Sequence, residues 1–162
     1  MFKIKLLILL LTSIFAIGCS VKQDLIDNRK YSVDYIGGEY DGLLLKNTLI
    51  KNLKSFNLYD QASKYQVKAN IQHDQNLFIT NIDNTSDRER ILTSLKIEVN
   101  DLVNYCKVFV DDYSISQFYI FASSDQFISN KVALKKIKKE NTKILVKKLI
   151  QKLVKTELDC IE

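Results

Sequence analysis

The residue whose neighbours best specify its chemistry is Cys19. It closes the run Ala16-Ile17-Gly18-Cys19, and small residues followed by cysteine form the junction at which bacteria acylate an exported protein and cleave it ahead of the modified thiol. Before it stand Lys3 and Lys5 and an apolar run from Leu6 to Ile17, the charged-then-apolar order of a secretory signal. That run is shorter than the roughly twenty residues a stable membrane span needs. The reading is a signal peptide over residues 1–18 and a mature chain starting at Cys19, acylated on its amino end and its thiol. Two or more acyl chains hold a protein durably on a bilayer, at about 0.8 kcal/mol per buried methylene.

Elsewhere the residue types that carry catalysis are thinly spread. His73 is the one histidine; there is no H-E-x-x-H pair, no G-x-S-x-G elbow, and too few glycines for a phosphate cradle. His73 with Asp74 is a pair rather than a cluster of metal ligands, and reads as part of a turn. Asp111 and Asp112 are adjacent in a strand pattern and point opposite ways, which does not suit acid–base chemistry. The expectation is a protein that is not an enzyme, with no metal and no cofactor beyond the covalent lipid on Cys19. Cys106 and Cys160 could pair in an oxidising compartment, but whether they come close enough is not legible from spacing. The plainer expectation is Cys106 as a small hydrophobe in a strand and Cys160 in a short tail.

Composition bounds the rest. Hydrophobic residues make up 46% and charged residues 27% of the 162, a globular balance that argues against disorder over most of the length. After the signal, the chain suits one domain. Positive charge is concentrated late: residues 131–157 hold ten lysines against Glu140 and Glu157, whereas residues 19–130 carry twelve basic and fifteen acidic side chains. Such a segment suits nucleic acid, anionic lipid or an acidic surface, and the export signal removes nucleic acid. Ser20, in place of aspartate after the lipidated cysteine, resembles the sorting signal for the outer membrane. The expected address is therefore the outer membrane, lipid-anchored and facing the periplasm.

The elements that must position these groups follow from periodicity. Residues 19–30 are polar and aperiodic, a lipidated tether that lets the domain stand off the membrane; residues 31–162 form a single domain. Tyr31, Val33 and Tyr35 alternate with Ser32 and Asp34 in a short strand closed by Gly37-Gly38. Asp41 is placed to cap a helix whose apolar residues Leu45, Leu49, Leu53 and Phe56 recur at helical steps. Tyr65 to Ile71 and Leu77 to Ile82 read as two strands joined by a turn at His73 to Gln75. Ile91 to Val99 is a longer strand, Asp101 to Asn104 a turn, and Cys106 to Ile120 its antiparallel return. From Ser124 or Ser129 to Leu158 the period becomes helical, with Ala133, Ile137, Ile144, Leu145, Leu149 and Leu153 on one stripe. The expected class is α+β, a two-layer sandwich with two helices packed on a mostly antiparallel sheet of about four strands.

Several segments carry a family resemblance. They are the lipidated Cys19, the helix YDGLLLKNTLIKNL, the strand-turn-strand SDRERILTSLKIEVNDLVNYCKVF, the aromatic DDYSISQFYIFASS and the closing helix KVALKKIKKENTKILVKKLIQKL. In their order and spacing the chain resembles the LptE family of lipopolysaccharide-assembly lipoproteins, in the shorter form of alphaproteobacteria, over roughly Val33 to Leu158. It departs from that pattern at Ser20, Val21 and Lys22, and by lacking a glycine between Asn100 and Tyr105. The resemblance implies a non-catalytic plug inside an LptD-like outer-membrane β-barrel, helping the barrel assemble and deliver lipopolysaccharide. Arg88, Arg90 and Lys131 are then the candidates for contact with lipopolysaccharide phosphates; the plainer use of each is a solvated loop or helix end. Tyr113, Phe118, Tyr119 and Phe121 could touch a barrel wall or acyl chains, with core packing the expected use of at least half. The alternative function is a periplasm-facing lipoprotein that binds and activates a cell-wall synthesis enzyme.

Overall fold

A computed structural model describes residues 29–79, 87–120 and 127–161. The signal peptide, Cys19 and Phe121 lie outside the described residues. The elements run β1 (Tyr31–Gly37), α1 (Glu39–Ser55), β2 (Tyr65–Ile79), β3 (Asp87–Asp101), β4 (Cys106–Ile120) and α2 (Phe127–Lys155). The four strands form one sheet in the order β1-β2-β3-β4.

The sheet is mixed, which corrects the expected two-layer sandwich on a mostly antiparallel sheet. β1 pairs in parallel with β2, because α1 carries the chain back before β2 begins and a crossover returns a strand in the same direction. β2, β3 and β4 are antiparallel in turn. The two helices pack against each other as well as on the strands, α1 on β1 and β2 and α2 on β3 and β4. The architecture is α+β: two helices and a four-stranded mixed sheet.

Leucine spacing creates that pair. Leu45, Leu49 and Leu53 of α1 and Leu145, Leu149 and Leu153 of α2 are fully buried, each set at four-residue steps that keep it on one stripe. They close over Val67, Ala69 and Ile71 of β2 and Leu95, Ile97 and Val99 of β3. The opposite faces of these strands carry Lys68, Asn70, Lys96 and Glu98, partly or fully exposed, and no described helix covers them.

Three local expectations change. Tyr65–Ile79 is one continuous fifteen-residue strand rather than two strands with a turn at His73. The polar residues there mark no turn; they pair in register with β3, His73 against Thr93 and Asp74 against Leu92. The cap of α1 is Gly38, at φ 110°, not Asp41. A β-carbon there would approach the Ile71 carbonyl oxygen to 2.5 Å, so the position needs glycine on both counts. Cys106 and Cys160 are joined in a disulfide, against the expectation of two separate thiols. The amide of Ile161 donates to the Lys107 carbonyl at 2.8 Å, so the tail lies along the start of the β4 edge and brings Cys160 to Cys106. Sequence spacing carries no sign of that long-range contact.

The β3–β4 turn manages without glycine. The Asp101 carboxylate accepts the amides of Val103 at 2.8 Å and Asn104 at 3.1 Å, and Tyr105 takes the left-handed φ of 53°. Aspartate side chains that bond two residues ahead are a standard way to hold such turns.

Removing the disulfide by Cys160→Ser should destabilise the folded domain by about 4 kcal/mol in the chain-entropy account of a loop with sequence separation 54. Urea unfolding of the oxidised, reduced and variant proteins checks this: the reduced protein and the variant should unfold at the same, lower midpoint.

Candidate functional site

Along the sheet, the apolar rows end at one polar row. Val67 pairs with Val99, Ala69 with Ile97, Ile71 with Leu95, and then His73 with Thr93. The His73 side chain is 1% exposed. Asn141 of α2, also buried, donates from Nδ2 to Thr93 Oγ1 at 2.9 Å, and Thr93 Oγ1 lies 2.7 Å from His73 Nδ1. With the imidazole neutral, the sense is consistent: the Thr93 hydroxyl donates to Nδ1, and the imidazole proton sits on Nε2. Nε2 lies 3.8 Å from the Asp41 carboxylate of α1, too long for a hydrogen bond. The same Asp41 oxygen lies 3.5 Å from Lys138 Nζ of α2. Burial pushes the imidazole below its ordinary value of 6.5; Asp41 and, more weakly, Asp74 oppose the shift, while Lys138 adds to it.

Directly outside this row, the first turn of α1 and the first half of α2 enclose a groove of about 550 Å³. Tyr40, Asp41 and Leu44 form one side; Lys131, Leu134, Lys135, Lys138 and Lys139 form the other. Lys131, Leu134, Lys135 and Lys138 recur at three- and four-residue steps, which puts them on one helix face. Asp41 engages Lys138, so the groove retains a net positive charge. An apolar lining with several convergent cations suits an anionic amphiphile, the cations taking charge-assisted bonds and Leu44, Leu134 and Tyr40 covering apolar surface.

The three sequence candidates do not come together. Lys131 lines the groove. Arg88 and Arg90 belong to β3, in alternation with Glu89, Ile91 and Thr93; since Ile91 and Thr93 are the buried, helix-side residues, both arginines lie on the other face of the sheet. Arg88 is exposed and Arg90 half-buried. The aromatic set divides the same way: Tyr113 and Tyr119 are half-buried, and Phe118, between them in alternation, is 57% exposed. Tyr119 donates its hydroxyl to Glu89, and burial, with Glu89 beside it, raises its phenol well above the usual range. Sequence reasoning left out Asp41, His73, Lys135, Lys138 and Lys139 as site residues. The lysine stripe was visible in the spacing; the role of His73 was not, because nothing local pairs it with Asn141.

The sequence matches no known family profile and no curated protein. Solved structures do share the fold. One described as a lipoprotein of Caulobacter crescentus superposes with a TM-score of 0.56 at 17% identity, over 76% of this chain and 87% of that one. A minor lipoprotein of Acinetobacter baumannii gives 0.57 at 9% identity, over 78% and 93%. Rare lipoprotein B of Shewanella oneidensis gives 0.59 at 9% identity, over 77% and 92%. The fold is one found in bacterial lipoproteins.

The lowered imidazole fixes the sign of a pH effect. Between the folded value and 6.5 the unfolded chain binds more protons at this site than the folded one, so stability falls as pH drops through that window and is level above it. Thermal unfolding of the domain from pH 7.5 to 5.0 should show this loss, and His73→Asn, which removes the titrating group, should flatten that part of the profile.

Proposed function

We propose that this chain is a non-catalytic lipoprotein, anchored through Cys19 to the outer membrane and facing the periplasm. In this reading it serves as the plug and assembly subunit of a lipopolysaccharide translocon, with an LptD-like β-barrel as partner. The observation that carries the reading is the lysine-lined groove between α1 and α2, whose cations beside Leu44 and Leu134 match a ligand with phosphates at the head of acyl chains. The lipidation junction at Cys19 and a fold found in other bacterial lipoproteins support the address. Lys131, Lys135 and Lys139 are the residues for the phosphates; Lys138, paired with Asp41, ties the first half of α2 to the start of α1. The open sheet face, with Lys68, Asn70, Lys96 and Glu98 beside the exposed Val110, Phe118 and Ile120, is the surface this reading turns toward the wall of a large barrel.

Two experiments test this. The tagged, lipidated protein drawn from its outer membrane in mild detergent should bring a stoichiometric large β-barrel subunit; recovery with a cell-wall enzyme, or alone, would sink the proposal. Lipopolysaccharide binding should weaken by about tenfold or more in Lys131→Glu/Lys135→Glu, since two charge-assisted contacts become repulsive. Arg88→Glu, on the other face of the sheet, should stay within about twofold of the unmodified protein.

A further inference from the structure

Across the sheet, Tyr31 pairs with Tyr65, Tyr65 with Asp101, and Asp101 with Cys106. The start of β1, the β3–β4 turn and the start of β4 therefore lie in one row at one end of the domain. The chain enters the fold at this end. Arg29 donates from Nη1 to the Thr156 carbonyl at 2.6 Å, just past α2, and the Tyr31 amide donates to the Leu58 carbonyl at 2.8 Å. With strands about 4.8 Å apart, the turn lies about 10 Å from that entry point. Arg29 stands ten residues after Cys19, a reach of about 35 Å at most. The basic groove is at the other end: Lys131, on its wall, is about 37 Å along α2 from Thr156.

The turn at the entry end is poorly matched to water. Leu102, Val103, Asn104 and Tyr105 are all exposed, Tyr105 by 92%, where turns ordinarily present Gly, Asn, Asp or Ser. Its one charge is turned inward: Asp101 is 3% exposed, accepts the amides of Val103 and Asn104 and meets Lys64 at 3.5 Å. The apolar tip is also held firmly. The Leu102 amide donates to the Lys64 carbonyl at 2.9 Å, and the disulfide fixes Cys106 directly after Tyr105. Tyr105, rather than the neighbouring Asn104, takes the positive φ, a conformation that bulky side chains disfavour. Beside it the exposed Ile161 is tied by its amide to the Lys107 carbonyl.

We propose that this turn is the seat of the domain on the bilayer that holds the Cys19 anchor, with Leu102, Val103, Tyr105 and Ile161 entering the headgroup layer. A tyrosine ring suits that depth, one end apolar and the other wet. The contact is apolar rather than electrostatic, because the lysines nearest the turn are engaged within the domain, Lys64 by Asp101 and Lys107 by Glu98 at 2.7 Å. The entry end of the domain rests on lipid, and the basic groove faces away from that leaflet. This inference rests on the lipid anchor of the reading above and is independent of the barrel partner.

The chain contains no tryptophan, so a single introduced one reports its own surroundings. The test places the full lipidated chain carrying Tyr105→Trp in vesicles of phosphatidylethanolamine and phosphatidylglycerol, doped with phosphatidylcholine brominated on its acyl chains. The expected result is a blue-shifted emission quenched by about twofold or more, unchanged in about 1 M salt, where charge contacts are screened. Phe118→Trp, on the open sheet face toward the far end of β4, should be quenched little. Adding Leu102→Ser/Val103→Ser to Tyr105→Trp should abolish most of the quenching and leave the urea midpoint unchanged, since both side chains are exposed. An unquenched reporter at position 105, equal quenching at position 118, quenching that salt removes, or quenching that survives the double serine change would overturn the inference. Intact mass before reconstitution reads the anchor separately. A chain without acyl groups would overturn the lipoprotein reading and this one with it, whereas an acylated chain with an unquenched reporter at position 105 would overturn the seat alone.

Discussion

The contact on which the rest depends is the leucine seam between the two helices. Leu45, Leu49 and Leu53 meet Leu145, Leu149 and Leu153 over the apolar rows of β2 and β3. Each fully buried leucine contributes about 1.5–3 kcal/mol, so the seam outweighs any single polar contact in the molecule. Its alignment sets α1 and α2 side by side. The basic groove opens beside it, between the start of α1 and the first half of α2.

The seam also explains the polar row. β2, β3 and β4 are each fifteen residues long, about 50 Å, and extend past the leucine rows. Where the leucines stop, Asn141 donates to Thr93 and Thr93 meets His73, pairing one side of each buried polar group while His73 Nε2 and the Asn141 carbonyl oxygen find no hydrogen-bond partner among the described residues. Asp41 and Lys138 lie just outside, joining the start of α1 to the first half of α2. The largely buried Asp41–Lys138 pair lines the basic groove, with the buried imidazole of His73 behind it at 3.8 Å from Asp41.

Much of the architecture was legible because periodicity is local. The seam residues of both helices, the bounds of β4 at Cys106 and Ile120, and the turn at Asp101 all follow from repeats of two or 3.6 residues and from turn chemistry. Errors fell where a local signal was outweighed. The polar run His73 to Gln75 reads as a turn by composition, yet full pairing with β3 keeps it extended. Asp41 has the right type for a cap, but glycine at position 38 can take the left-handed φ that the tight β1–α1 junction requires, which starts the helix earlier and leaves Asp41 inside the first turn.

By itself the sequence determined what is carried by covalent neighbours and by short repeats: the small-residue junction before Cys19 on which the lipidation proposal rests, the concentration of lysine in the last helix, and the stripes that make each helix amphipathic. Only the tertiary structure decided which distant groups meet. The parallel pairing of β1 with β2, the Cys106–Cys160 disulfide, the separation of Arg88 and Arg90 from Lys131, and the burial of His73 against Asn141 each join or divide residues far apart in the chain. The physical reason is that side-chain alternation fixes a face within one element, whereas which faces come together depends on how the leucine seam aligns the helices and how strand register aligns the sheet, and neither is written in any one segment.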